Sequence, residues 1–187
     1  MKIVVIDGQG GRMGKSIIEQ IRKSCTDTNR YQLYAIGTNS TATQAMMKAG
    51  ADYGATGENP ILVNSRDADL IIGPIGIIIA DSLLGEITPA MASAIGSSGA
   101  FKILIPVRRC SHMIVGCQDA PLSEYLRQVC QEVTARIMDQ PGPPSGICRF
   151  PPPSDRAGEN RPCVFLRPCF SVFLPIFFLP PSRILKD

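Results

Sequence analysis

Four glycines fall within seven positions near the start of the chain: Gly8, Gly10, Gly11 and Gly14, inside the stretch KIVVIDGQGGRMGKS from Lys2 to Ser16. Glycine reaches positive φ without steric penalty, and its missing Cβ lets the backbone close on a bulky phosphate. Just before the glycines, Ile3, Val4, Val5 and Ile6 form an apolar, mostly β-branched run suited to a strand covered on both faces in a parallel sheet. Just after them, Met13, Ile17, Ile18 and Ile21 recur at helical spacing. Such a turn delivers the chain into a helix whose unpaired N–H groups and positive dipole end face an anion. Gly8, Gln9, Gly10, Gly11, Arg12, Met13 and Gly14 are therefore the expected cofactor-binding residues.

The spacing ranks the ligands. The dinucleotide fingerprint G-x-G-x-x-G is not met strictly, because Met13 holds the third glycine position. What stands is Gly8-x-Gly10-x-x-x-Gly14, or equally Gly8-x-x-Gly11-x-x-Gly14. Lys15 and Ser16 suggest a P-loop, but that motif needs a glycine where Gln9 stands. Asp69 opens an apolar run where a magnesium-binding aspartate would close one. NAD or NADP thus ranks above a nucleoside triphosphate.

The residues of this turn, Gly8, Gly11, Arg12, Met13 and Gly14, resemble the cofactor turn of dihydrodipicolinate reductase, whose G-x-x-G-R-M-G segment binds NADH or NADPH. That resemblance covers only the first strand and helix; the reductase's substrate domain, with its histidine pair and catalytic lysine, has no counterpart. Over a longer span, Lys2 to about Gly116, the chain resembles a small bacterial family of Rossmann-like proteins of unknown function. The segments that carry this likeness are Asp7 to Gly11, Gly37 to Asn39, Gly54 to Asn59, Gly73 to Ile75, Gly85 to Ala92 and Lys102 to Pro106. It implies a Rossmann-like fold and no particular reaction.

The elements that must position the turn alternate. Gln32 to Ile36 is the second predicted strand, closing at Gly37-Thr38-Asn39-Ser40, where a dinucleotide enzyme presents Asp or Glu to the adenosine ribose. No acid is there, so Thr38 and Asn39 are the candidates for hydrogen-bonding a ribose or its phosphate. Thr41 with Gln44 reads as a capping box, opening a helix whose Ala42, Ala45, Met46 and Ala49 share a face until Gly50. Ala51 to Asn59 reads as a loop and Ile61 to Val63 as a third strand. That order puts Thr56-Gly57-Glu58-Asn59 ahead of its strand, on the rim away from a ligand.

Asp69 to Ile72 is the fourth predicted strand, ended by Gly73 and Pro74 at the ligand rim, where the nicotinamide of an oxidoreductase would lie. Ile75 to Leu84 is apolar nearly all round, which predicts a buried helix or an oligomer contact. Asp81 and Glu86 read as solvated helix-end carboxylates, with a base or substrate contact as the rarer role. Thr88-Pro89 opens a helix carrying Met91, Ala94 and Ile95. Phe101 to Val107 is the fifth strand, and Arg108, Arg109 and Cys110 follow at its carboxyl end as candidate substrate residues. Two arginines there would clamp a phosphate or carboxylate, and neighbouring cations favour a thiolate at Cys110. His112, the only histidine, is its candidate acid/base partner. Met113 to Val115 reads as a weak sixth strand, and a helix from Pro121 through Leu122, Tyr125, Leu126, Val129, Val133 and Ile137 closes the last sheet face.

Strands alternating with helices predict an α/β three-layer sandwich, doubly wound around a mostly parallel sheet. At 187 residues the chain holds one ordinary domain, expected over residues 1–138. Beyond it lie most of the prolines and all phenylalanines but Phe101. Residues 139–187 are expected to be disordered or foreign to the domain, as after read-through past a frameshift, and Arg167, Pro168 and Pro175 interrupt their apolar run before it could span a membrane. A net charge of +3, dispersed along the chain, gives no nucleic-acid stripe. Seven cysteines without C-x-x-C spacing argue against zinc and against a disulfide framework, and the absence of a signal pattern agrees with reduced thiols in the cytoplasm. The function expected is binding of NAD or NADP, with oxidoreductase activity if the domain is an enzyme. The alternative is a non-catalytic module that senses a nucleotide or forms homo-oligomers.

Overall fold

The structure, a computed structural model, describes residues 1–106, 114, 117 and 120–139. Five strands make one sheet: β1 (Lys2–Asp7), β2 (Gln32–Gly37), β3 (Tyr53–Thr56), β4 (Leu70–Pro74) and β5 (Phe101–Ile105). Their order is β3-β2-β1-β4-β5, and every neighbouring pair is parallel. The helices are α1 (Arg12–Ser24), α2 (Ser40–Lys48), α3 (Glu58–Asn64), α4 (Ser82–Gly85), α5 (Pro89–Ser97) and α6 (Leu122–Asp139), with short 3-10 turns at Thr28–Arg30 and Ile75–Ile78.

Alternation along β1 builds the two outer layers, because successive side chains point to opposite faces. Ile3 and Val5 meet Ile17, Ile18 and Ile21 of α1, Met46 of α2 and Val129, Val133 and Ile137 of α6. Val4 and Ile6 meet Ile61 of α3 and Met91 and Ile95 of α5. A strand buried on both faces can afford no polar side chain until it ends, and in β1 that end is Asp7. The result is a doubly wound Rossmann-like sheet. The strand order reverses direction beside β1, which makes the carboxyl ends of β1 and β4 its topological switch point.

Several expectations give way to tertiary context. Ile61 to Val63 is not a strand: these residues lie in α3, with Pro60 in the first turn, where its missing N–H is tolerated, and Ile61 fully buried. The third strand is Tyr53–Thr56, inside the stretch expected to be loop. It is an edge strand held by β2, and Tyr53 stacks on Tyr34 at 4.7 Å between ring centres. Thr56 to Asn59 consequently begins at the carboxyl end of β3 and runs on from it, so this segment stands on the same rim as the glycine turn and not on the opposite one. The Gly57 amide bonds the carbonyl of Gly37, which ties the β2 and β3 rims together at 2.9 Å.

The apolar run Ile75 to Leu84 is not one helix either. It starts as the 3-10 turn Ile75–Ile78, continues extended at Ile79, and then kinks through left-handed Asp81, Leu83 and Leu84 with φ of 61°, 53° and 60°. Left-handed backbone at branched, non-glycine residues is strained and needs the surroundings to impose it. The cap of α2 is Asn39, whose Oδ1 accepts from the Ala42 amide at 2.9 Å, and not the Thr41 box. Thr88 does cap α5, accepting from the Met91 amide at 3.2 Å, with Pro89 at the first position. β4 extends two residues past Ile72 and stops at Pro74, which pairs with Ile105 as the last rung of the ladder. β5 ends at Ile105, short of Val107. The expected sixth strand, Met113 to Val115, rests on residues outside those described.

Candidate functional site

Chain direction puts the loops after β1, β2, β3 and β4 on one rim, and the glycine turn occupies its centre. Asp7 ends β1 and is 5% exposed. Its carboxylate faces the start of α1: Oδ1 accepts from the Gly8 amide at 2.8 Å, Oδ2 from the Gly14 amide at 2.7 Å, and the Met13 amide also hydrogen-bonds it. Asp7 thus acts as a built-in anion for the helix end, a role normally given to a cap residue or a ligand. Burial pushes its carboxyl above the usual range. The amides of Gly14, Gly8 and Met13 pull it down and the negative Glu86 pushes it up again.

A second carboxylate sits on the turn itself. Glu86, carried on the loop between β4 and α5, places Oε2 where three donors converge. They are the Gln9 amide at 2.7 Å, the Thr38 hydroxyl, and Asn39 Nδ2 at 3.1 Å. Asn39 Nδ2 also donates to the Gln9 carbonyl at 3.0 Å, locking the loops after β1 and β2 together. Burial works to raise the Glu86 carboxyl, but the hydrogen bonds from Thr38, Gln9 and Asn39 outweigh it and hold the group below the ordinary carboxylate range. Glu86 does stand at the end of α4, as expected, but its carboxylate is held by three donors and not left to solvent. Because its folded-state value is depressed, Glu86 contributes stability that is present above the unfolded value and lost as pH falls through the folded one. Urea denaturation is expected to show wild type losing stability relative to Glu86→Gln as pH drops below about 4.5, the ordinary glutamate value.

The four glycines do different work. A Cβ on Gly8 would lie 2.6 Å from Glu86 Oε2, and one on Gly11, at φ 66°, would lie 2.6 Å from Ala42 Cα. Gly14 gives up its side-chain space to Met46. These three are explained by internal packing. Gly10 is exposed, has ordinary φ and nothing within 4 Å of where a Cβ would be. Its amide and that of Arg12 find no acceptor among the described residues, while those of Gly8, Gln9, Gly11, Met13 and Gly14 are occupied. The picture of a wholly bare helix end is thus narrowed to two open amides, at Gly10 and Arg12.

Of the other predicted site residues, Thr38 and Asn39 are brought onto the turn, although their first contact is Glu86. Gly73 and Pro74 are buried beneath the rim, and Gly73 is small because the Ile6 carbonyl and Ile77 crowd it. Arg108, Arg109, Cys110 and His112 lie outside the described residues. Among the described residues no three His, Cys, Asp or Glu side chains cluster as metal ligands, and no helix is long and apolar enough to cross a membrane. Asp7 is not among the expected site residues, although an acid closing a fully apolar strand directly before the turn is a signal; Glu86 is weighed only as a base or substrate contact, and nothing in the sequence points to its place on the turn.

Five of the six segments that carried the family likeness contain the carboxyl end of a strand, and the sixth, Gly85 to Ala92, brings Glu86 to the turn before running into α5. A family model described as Domain of unknown function (DUF3842) matches residues 2–138. The chain belongs to this family. The DUF3842 match begins with β1 and ends one residue before the end of α6, so it takes in every strand and helix described above. No curated protein matches the chain. In this DUF3842 chain, the glycine turn, Thr38, Asn39 and Glu86 form a cluster of polar groups above the carboxyl ends of β1 and β2, beside the switch point.

Proposed function

We propose that this domain binds a nucleotide of the NAD(P) class along the rim above β1 and β2, with the diphosphate on the Gly8 to Gly14 turn. The observation that carries the reading is Gly10. The fold uses the absence of a side chain at Gly8, Gly11 and Gly14, but not at Gly10, whose open amide stands beside that of Arg12 at the positive end of α1. A glycine with no internal neighbour and a free donor suits the close approach of an external anion. Asp7 takes the deeper amides, leaving the outer two for one phosphate group.

Thermal melting of the full chain with NADH, NADPH, ATP, GTP and FMN tests this. Saturation at about a hundred times Kd contributes roughly 2.7 kcal/mol and raises Tm by several degrees. The rise is expected with a nicotinamide nucleotide and is lost in Gly10→Asp, whose ligand-free Tm stays near wild type because the position is open. No rise with any nucleotide would contradict the proposal.

A second reading, a sensing or oligomerising module without catalysis, is favoured by Leu84, an apolar side chain 95% exposed on the strained β4–α5 loop that also carries Glu86. Sedimentation separates the two: a Leu84→Ser variant that changes oligomeric state without changing nucleotide binding belongs to this second role.

A further inference from the structure

We propose that Glu86 reads the adenosine ribose of the bound nucleotide and rejects a phosphate on its 2′ oxygen, so that the site takes NAD in preference to NADP. This rests on the nucleotide reading and adds which ribose is accepted. In a doubly wound sheet the acid that accepts ribose hydroxyls stands at the end of the second strand. Here β2 ends in Gly37, and Thr38, Asn39 and Ser40 supply no carboxylate. Glu86 supplies one at the same place from a different loop, bound to Thr38 and Asn39 themselves.

Its geometry suits an acceptor that stays put. The donors from Gln9, Thr38 and Asn39 all meet Oε2, and Oε1 accepts from none of the described residues. An ionised carboxylate offers about four lone-pair sites, so one oxygen anchors the group while the other remains open to hydroxyl donors. The missing side chain at Gly8 is what lets Oε2 settle against the turn, and Gly10 and Arg12 follow it along the same loop. A ligand lying along the turn therefore meets a fixed acceptor first and phosphate-binding amides next, in the order ribose then diphosphate. An ionised group anchored by three donors cannot swing aside cheaply, and it opposes a second anion on the ribose.

Calorimetric titration of the full chain with NADH and with NADPH, for wild type and Glu86→Gln, is the test. Wild type is expected to bind NADH about tenfold or more tighter than NADPH, and Glu86→Gln to bring that ratio close to one, chiefly by gaining affinity for NADPH. A wild-type ratio near one, or reversed, overturns the inference without need of any variant. So does a ratio that the substitution leaves unchanged. Glu86→Gln tightening both cofactors and inorganic pyrophosphate by one common factor also overturns it, because Glu86 is then an internal plug that ligand displaces. All of these results leave the nucleotide reading standing. Binding of neither cofactor by either protein removes that reading, and this inference with it.

Discussion

Gly11→Ala is expected to cost the domain about 4 kcal/mol, whereas Gly10→Ala, one residue away, should stay within about 0.5 kcal/mol of wild type. Gly11 holds φ at 66°, where an L side chain costs roughly 1–2 kcal/mol. Its added Cβ would also stand 2.6 Å from Ala42 Cα and 2.8 Å from the Ala42 carbonyl oxygen. Both neighbours are backbone, so neither can rotate away, and α1 must lift from α2 at roughly 1–3 kcal/mol more. Gly10 has neither constraint. Since whole domains are stable by only about 5–15 kcal/mol, the first variant should melt roughly 10 °C or more below wild type. Urea denaturation followed by far-UV circular dichroism would show it. Equal losses at both positions would mean that the turn is rigid throughout and that Gly10 has a structural task as well.

Asp7→Ala should be the next most costly change, at about 3 kcal/mol by the same measurement. It removes the acceptor for the Gly8, Met13 and Gly14 amides at a position only 5% exposed, and unsatisfied buried donors cost roughly 1–3 kcal/mol each. Relief from burying a charge, visible in the raised carboxyl, offsets part of that. Asp7→Asn should recover little, because its amide N–H₂ would point at one of the N–H groups it must satisfy. The pH dependence has the opposite sign to that of Glu86. Asp7 binds its proton more tightly when folded, so wild-type stability falls as pH rises from the unfolded carboxylate value through the folded one. The gap between wild type and Asp7→Ala is accordingly widest on the acid side of that window and narrower at neutral pH. A gap that widens with rising pH would mean that the amide hydrogen bonds outweigh burial at Asp7, contrary to the raised carboxyl described above.

How far the fold could be read in the sequence depended on whether a local pattern and the tertiary environment agreed. They agree for β1 and α1, where a β-branched run gives way to Ile17, Ile18 and Ile21 at helical spacing, and for α6 with Val129, Val133 and Ile137. They disagree at β3. Tyr53-Gly54-Ala55-Thr56 has no apolar run, because an edge strand with alternate residues exposed needs none, and its pairing with β2 decides its state. Ile61-Leu62-Val63 has strand-like residues, yet only Ile61 is fully buried, on the face of a short helix behind Gly57. That single exchange moved Thr56 to Asn59 from one rim of the sheet to the other.

The candidate site was legible in the same uneven way. Glycine spacing located the turn, since backbone geometry leaves a mark on sequence. It could not tell which glycines face the protein's interior and which face solvent, because that depends on Ala42, Met46 and Glu86 arriving from other elements. Glu86 itself stands far along the chain from Gln9 and Thr38, on a loop whose left-handed Asp81, Leu83 and Leu84 no propensity would suggest. No acid stands at the end of β2 in the sequence; the fold brings the Glu86 carboxylate against Thr38 and Asn39 from the loop after β4.

If the open amides of Gly10 and Arg12 hold a phosphate of an external nucleotide, its binding must register at those two amides. Backbone amide NMR shifts, followed while the ¹⁵N-labelled full chain is titrated with NADH, test it most directly. Saturable shifts are expected to be largest at Gly10 and Arg12, with smaller changes at the Gly8 and Gly14 amides that Asp7 already occupies. Gly10 and Arg12 resonances that stay in place up to saturating NADH would contradict a phosphate held there.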